Sequence, residues 1–328
     1  MAGRRTNLAL LWASVLAFVT GVSAFVVGTP SGFWVVVAHG VIALAIVVLV
    51  PWKATIASRG WARSRSDRLL SIGLSATTLL ALASGVLLVT GAVDEVAGLT
   101  TMQLHVAFGL LAVSLTLAHT LQRPVPHRRT DFSRRNVLRT GGLLVAAGGL
   151  WLGMEALLDL AGLRGGVRRF TGSHEITDPE RVPATQWIND SVQHLDRETH
   201  QVDIVGIRYS VGELEEPADT LTATLDCTGG WFTTQEWSGT RLSRLVGADD
   251  GTSLVVRSTT GYWRRFPMDH AGQLLLATHM AGRPLPDGNG GPVRLVAPNR
   301  RGYWWVKWVD RVEIDDRPAW WQPPLPMA

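Results

Sequence analysis

One cysteine, Cys227, stands in a chain of 328 residues, so no intrachain disulfide can form. Charge is equally scarce over long stretches. Before about residue 163 the chain consists of apolar runs separated by short loops, and the runs carry almost no charged side chains. That scarcity argues against a transporter with a charged substrate pathway. The net charge is only +4, and the arginines cluster in the loops between apolar runs, which excludes the signature of a nucleic-acid-binding protein.

Five apolar runs remain, near residues 8–28, 33–51, 69–91, 102–121 and 137–161, each near the roughly 20 residues that a bilayer-spanning helix needs. They predict a multi-pass helix bundle in a bacterial cytoplasmic membrane, with membrane lipid as its surroundings. Arg4 and Arg5 precede the first run. Lys53, Arg59, Arg63, Arg65 and Arg68 fill the second loop, and Arg123, Arg128, Arg129, Arg134, Arg135 and Arg139 fill the fourth. The first and third loops, 28–32 and 94–100, carry no Lys or Arg. The positive-inside rule then puts the amino terminus in the cytoplasm, and an odd number of spans puts the carboxy-terminal part outside.

Two histidines lie inside these runs at matching depth. His39 sits about 7 residues and His105 about 4 residues from the outer ends of the second and fourth spans, at most roughly 10 Å deep at about 1.5 Å per residue. Imidazoles at one level on different helices can hold a b-type haem iron from both sides. The other reading is polar packing. Small neighbours such as Gly40 and Gly109 accompany the two histidines, and residues 1–130 resemble bacterial cytochrome b membrane domains with four-helix cores. His119 has the spacing for a second haem, but the matching inner level of span two offers Trp52 and Lys53, so one outer haem is expected. His119 and His127 read as inner-interface residues.

Residues 131–163 hold the fifth run and, before it, Ser133-Arg134-Arg135-Asn136-Val137-Leu138-Arg139. This resembles the twin-arginine export motif and implies the twin-arginine translocon as a partner. Basic flanking residues are the plainer alternative. No small-residue cleavage site is compelling after it, so the run is expected to stay as an anchor.

From residue 164 to 328 the composition changes to a mixture of Pro, Gly, charges and most of the tryptophans. Period-two segments at 201–209, 220–225, 253–258, 293–296 and 304–312, with short helices at 242–246 and 274–280, predict an α+β, mostly β, domain. Leu221, Ala223 and Leu225 alternate with threonines and end at Cys227. Thr228-Gly229-Gly230 then breaks the strand into a loop holding Trp231, Phe232 and Trp237. A strand-end thiolate can hold a soft or high-valent metal. It can equally be a small core residue.

Together with L-D-C-T-G-G-W, the phrases G-R-P-L-P, G-G-P-V-R-L-V-x-P and G-Y-x-x-V-K-W-V-x-R-V-E over residues 168–315 resemble the molybdopterin-binding domain of the sulfite oxidase family. The resemblance implies molybdenum ligated by Cys227 and a pterin cofactor carrying a phosphate, whose natural partners are backbone amides, Arg and Lys. By position in the family pattern it points to Asn289, Arg294, Arg301, Trp305, Val306 and Lys307, and at the amino-terminal edge to Thr171, Ser173 and His174. Tyr262, Trp263 and Arg265 could line the substrate pocket. The family's arginines just after the cysteine are replaced by Thr228-Gly229-Gly230-Trp231-Phe232. The expectation is therefore a molybdopterin-dependent oxidoreductase that reduces a small-molecule or protein sulfoxide, or an N-oxide, in preference to oxidising sulfite. Electrons would pass between molybdenum, the His39–His105 haem and the quinone pool or another membrane carrier. The alternative is a haem-bearing electron carrier whose outer domain binds without catalysing.

Overall fold

The structure, a computed structural model, describes residues 2–61, 68–126, 128–187, 190–216, 218–247 and 251–325. Arg63, Arg65 and His127 lie outside the described residues. The chain divides into two compact units, Met1–His174 and Glu175–Ala328.

The first unit holds five helices, α1 (Ala2–Val26), α2 (Gly32–Trp61), α3 (Arg68–Thr90), α4 (Thr101–Gln122) and α5 (Arg134–Leu160). All five are long and apolar enough to cross a membrane. Their hydroxyl residues do not break them. Thr20, Thr77, Thr78, Ser84 and Thr116 each donate to a backbone carbonyl four residues back, so these hydroxyls are satisfied within their own helices. At the start of α4, the Thr100 hydroxyl accepts from the Gln103 amide at 3.2 Å and the Gln103 side chain accepts from the Thr100 amide at 2.8 Å, a reciprocal cap.

The helices pack as hairpins, α1 on α2 and α3 on α4, and α5 lies against α2. The buried residues of α5 are Ala147, Trp151 and Leu158, which recur on one face. Gly40 of α2 faces Trp151 so closely that an added Cβ would lie 1.9 Å from the indole ring. The unit runs past the expected boundary at residue 163. Its connector, 164–174, is tied to the end of α3: Arg164 pairs with Asp94 at 2.9 Å, Arg168 donates to the Val89 carbonyl at 3.0 Å, and His174 Nε2 donates to the Leu88 carbonyl at 2.6 Å.

The second unit is built from two sheets, mostly antiparallel, as expected for an α+β, mostly β, domain. Its strands are β1 (Gln201–Ile204), β2 (Ile207–Ser210), β3 (Asp219–Asp226), β4 (Trp231–Arg241), β5 (Ser253–Ser258), β6 (Trp263–Pro267), β7 (Leu275–Met280), β8 (Arg283–Pro284), β9 (Arg294–Val296) and β10 (Val309–Asp315). One sheet has the order β2-β1-β10-β5-β6, with β1 and β10 parallel. In the other, β3 pairs with β4, β4 with β7, and β7 with β8 and β9.

Several elements differ from the sequence expectation. Residues 274–280 form strand β7, not a helix. The strand is flanked by β4 on one side and by β8 and β9 on the other, and five of its six residues are buried, which explains the unbroken apolar run. Residues 201–209 make two strands, because Val205 and Gly206 both take positive φ and turn the chain. The expected loop after Cys227 is only a tight turn. Trp231–Arg241 leaves it as an eleven-residue strand whose first seven residues alternate buried and outward-facing positions. The strand expected from 304 does not start there: residues 302–304 form a 3₁₀ turn, and β10 begins only at Val309. The short helix Leu242–Leu245 is where periodicity placed it.

Candidate functional site

The β3–β4 turn creates the first site. Cys227 follows the last residue of β3. Its amide donates to the Trp231 carbonyl at 2.9 Å, and its carbonyl accepts from the Gly230 amide. Gly230 closes the turn at φ +88, a conformation that side chains rarely adopt. The segment 301–303 passes directly behind: a Cβ on Gly302 would lie 3.0 Å from the Cys227 Cα. The thiol is therefore held by backbone on both sides, and Cys227 is 9% exposed.

Burial pushes the Cys227 thiol up from its ordinary pKa. The Gly229 amide, 3.3 Å from Sγ, and the charges of Lys307 and Arg301 pull the other way. Cys227 opens into a cavity of about 60 Å³ lined by Thr185, Gln186, Trp187, Asp190, Tyr262 and Lys307, among others. The domain's larger cavity, about 610 Å³, lies beside Arg265, Trp320 and Trp321 and contains no group able to ligate a soft metal. The smaller cavity is the chemical one.

Lys307 lines it, and two buried arginines lie close enough for their charges to act on Cys227. Arg294 is 1% exposed, donates to the carbonyls of Asn289 and Trp305, and sits over the rings of Trp237 and Trp305, while its Nε is buried without a partner. Burial pulls its pKa down to about 10. Lys307 Nζ donates to the Thr185 carbonyl at 2.9 Å and to the Gly288 carbonyl. Burial and the Arg294 charge bring it down to about 7. Arg301 is ion-paired with Asp226, and its Nε too is buried without a partner. A buried set of positive groups with open donors is unfavourable until an anion arrives. A pterin bearing a dithiolene and a phosphate is such an anion, and the donor set fits it. When bound, molybdenum in this cofactor supplies two-electron redox chemistry.

The other expected residues divide clearly. Tyr262 lines the cavity. Its hydroxyl donates to the Tyr303 carbonyl, and burial raises its pKa, so it holds its proton. Trp305 also lines the cavity. Asn289 is buried and supports Arg294 through its carbonyl. Val306 is a core residue whose carbonyl accepts from the Leu295 amide. Arg265 is not at the cavity. It is ion-paired with Asp315 at 2.8 Å and faces the larger pocket, because alternation along β6 turns it away from the chemical site. Thr171, Ser173 and His174 belong to the first unit, where Thr171 and Ser173 hydroxyls meet at 3.3 Å and His174 is bonded to Leu88. Asp190, Gln186 and Thr185 escaped the sequence reading. They lie in a stretch without regular structure, where periodicity gives no signal.

The first unit holds a second arrangement. His39 and His105 face each other with ring centroids 5.9 Å apart and planes at 87°. His39 Nδ1 donates to the Ala17 carbonyl of α1 at 2.9 Å, and His105 Nδ1 donates to the Ala81 carbonyl of α3, also at 2.9 Å. A carbonyl only accepts, so each Nδ1 carries the proton and each Nε2 keeps its lone pair. The two hairpins repeat the device. Thr20 and Ser84 stand three residues after those alanines, and Gly21 and Gly85 follow with their Cα faces against the two rings. Gly109, expected beside the pair, faces open space, and Gly40 faces Trp151.

With this geometry established, the comparisons with known proteins fall on the second unit. Residues 189–321 match the family described as oxidoreductase molybdopterin binding domain. They form a molybdopterin oxidoreductase domain. Within that class the domain is similar to the sulfite oxidase family. It is similar to mitochondrial sulfite oxidase of Rattus norvegicus, 29% identical over 176 residues covering 40% of this chain and 32% of the relative. The enzyme of Homo sapiens is 28% identical over the same extent. The chain thus spans about a third of the length of these relatives. The crystal structure of the sulfane dehydrogenase SoxCD from Paracoccus pantotrophus aligns with TM-score 0.37 and 27% identity over 38% of this chain and 40% of that one.

Proposed function

We infer that this chain is a membrane-anchored molybdenum-cofactor oxidoreductase. It exchanges electrons between an extracytoplasmic substrate and the membrane quinone pool, through a b-type haem held by His39 and His105. The observation that carries the enzyme half is the buried strand-end Cys227 in a cavity lined by Lys307, with Arg294 and Arg301 buried nearby and each keeping an Nε without a partner for an anionic cofactor. The haem half is supported by two Nδ1-anchored imidazoles that offer Nε2 lone pairs across a short gap.

The substrate follows from the lining. Beside Cys227 stand Trp187, Tyr262, Tyr303 and Trp305, together with the Asp190 carboxylate. Lys307 is committed to two carbonyls, and the described lining holds no arginine. An anion such as sulfite would meet a carboxylate without a guanidinium to offset it. A neutral sulfoxide or N-oxide suits these walls better, and reduction is the favoured direction. Tyr262 keeps a proton at its hydroxyl close to the site where an oxygen would leave.

The test is molybdenum and haem content of the detergent-purified protein. About one molybdenum per chain with a b-type reduced-minus-oxidised spectrum is expected, with loss of sulfoxide or N-oxide reduction in Cys227→Ser. Full activity in Cys227→Ser would overturn the enzyme reading. Haem without molybdenum would leave an electron carrier with a binding domain.

A further inference from the structure

The connector 164–174 packs over the outer ends of both helix hairpins. Gly172 lies against Val36, three residues outward from His39 on α2. His174 bonds to Leu88, seven residues outward from Ala81 on α3, the residue that anchors His105. Seven residues of helix span about 10 Å, a distance of the order of that between a haem iron and its carboxylates. His174 is 5% exposed. Its Nε2–H is spent on the Leu88 carbonyl, and its Nδ1 is buried without a partner. The ring reaches this position because Gly91 has no side chain: a Cβ there would lie 2.8 Å from the imidazole. Arg164 and Arg168 stand beside it on the same connector, and burial together with their charges lowers its pKa, so it takes up a second proton only against an incoming anion. Each holds a carboxylate of its own, Asp94 at 2.9 Å and Glu155 at 2.5 Å. His174 Nδ1 is therefore the atom of this cluster without a partner at hydrogen-bond distance, although the Arg164 backbone also acts on the ring.

We propose that His174 is a positioning residue for the haem, its Nδ1 donating a hydrogen bond to a haem carboxylate at the outer end of α3, with Arg164 and Arg168 supplying positive potential around it. The proposal rests on the His39–His105 haem reading. It assigns the connector to the electron carrier and explains why an orphaned imidazole atom persists in a buried place. An imidazole held at Nε2 by a carbonyl becomes a donor at Nδ1 by taking up a proton, and a carboxylate is the acceptor that makes this favourable. The consequence is electrostatic. A compensated carboxylate stabilises ferric iron less than a bare one does, so the contact raises the midpoint potential of the haem.

The experiment is a redox titration of the full-length, detergent-purified chain, wild type against His174→Phe. The variant is expected to keep its b-type band positions while its midpoint falls by a tenfold change in the ferric-to-ferrous preference, about 59 mV for one electron. Reconstitution of both proteins with the dimethyl ester of haem, which has no carboxylates to bind, is expected to abolish the difference. Equal midpoints with native haem would overturn the proposal while leaving the haem in place. A difference that survives with the ester would overturn it too, because it would trace to packing. If His174→Phe does not accumulate, resonance Raman of the wild type decides: the propionate bending band shifts in D₂O when hydrogen-bonded, and an unshifted band overturns the assignment. A wild type without any b-type spectrum would fell the haem reading and this inference together.

Discussion

Lys307 is held where a lysine is least comfortable, against Arg294 and under protein, with a pKa near 7 instead of the ordinary 10.5. Between those values the unfolded chain keeps a proton that the folded cofactor-free chain has released. Stability of the cofactor-free protein therefore rises with pH from about 7, by at most about 1.4 kcal/mol per unit. Above pH 9, the ordinary value of the Cys227 thiol, the raised pKa of that thiol acts in the opposite sense. Lys307→Met removes the penalty. Thermal unfolding of the cofactor-free protein at pH 6 should show the variant more stable by about 1–3 kcal/mol, with the gap closing as pH rises towards 9. The same substitution should lower retention of molybdenum, measured by mass spectrometry. A variant equally stable at pH 6, or one that keeps its cofactor, would show that the ammonium is neither strained nor recruited. At this scale Cys227 was legible from its place at the end of an alternating strand. Its partners were legible only through the family phrases, since a lone Lys or Arg in a loop has no pattern of its own. Arg265 shows the limit. Its position near Tyr262 in sequence suggested the pocket, and strand alternation took it to the opposite side.

Among elements, apolar length gave all five helices and the ends of α3, α4 and α5 to within three residues, because the bilayer requirement is a strong and simple pattern, while α1 begins six residues before its apolar run and α2 continues ten residues past its own into the basic loop. The β-rich unit was less legible. Residues 274–280 form a run of buried residues without alternation, and such a run reads as helix or central strand equally well until its neighbours are known. What the sequence did not disclose at all is the helix-to-helix register, and there small residues decide. Gly40 admits the Trp151 ring of α5 to the backbone of α2, at a distance where any Cβ would overlap it. Gly40→Leu should force α5 outward and cost about 1–3 kcal/mol, read as a lower thermal midpoint in detergent. Trp151→Ala alone should cost about 3–5 kcal/mol by leaving a cavity. The double variant should recover part of both losses, because one change fills the space the other empties. Strictly additive losses would mean that the two residues do not pack against one another.

At the level of the whole molecule, the two units carry two sites, and the proposed function requires both to work from one side of a membrane. Basic residues bear on which side. Arg59, Arg123, Arg128, Arg129, Arg134 and Arg135 lie in or beside the second and fourth loops, while the third loop has Asp94 and Glu95 and no cation. Arg4 of α1 is ion-paired with Asp131 just before α5, so the two chain segments expected on the cytoplasmic side do meet within the first unit. This arrangement predicts that a phosphatase domain, active only outside the cytoplasm, will be active when fused after Ala328 and inactive when fused in the 123–133 loop. The proposed topology also requires export of the second unit. Arg134 and Arg135 at the start of α5 are exposed, and we propose that they are the pair the twin-arginine translocon reads. Lys at both positions keeps the charge and the positive-inside signal but not the guanidinium geometry. The prediction is that the Arg134→Lys/Arg135→Lys protein keeps its five spans, retains molybdenum, and leaves its second unit protease-protected on the cytoplasmic side of intact cells. If the double lysine variant exports its domain normally, the arginines act only through charge, and the second unit crosses by a route that does not recognise the pair.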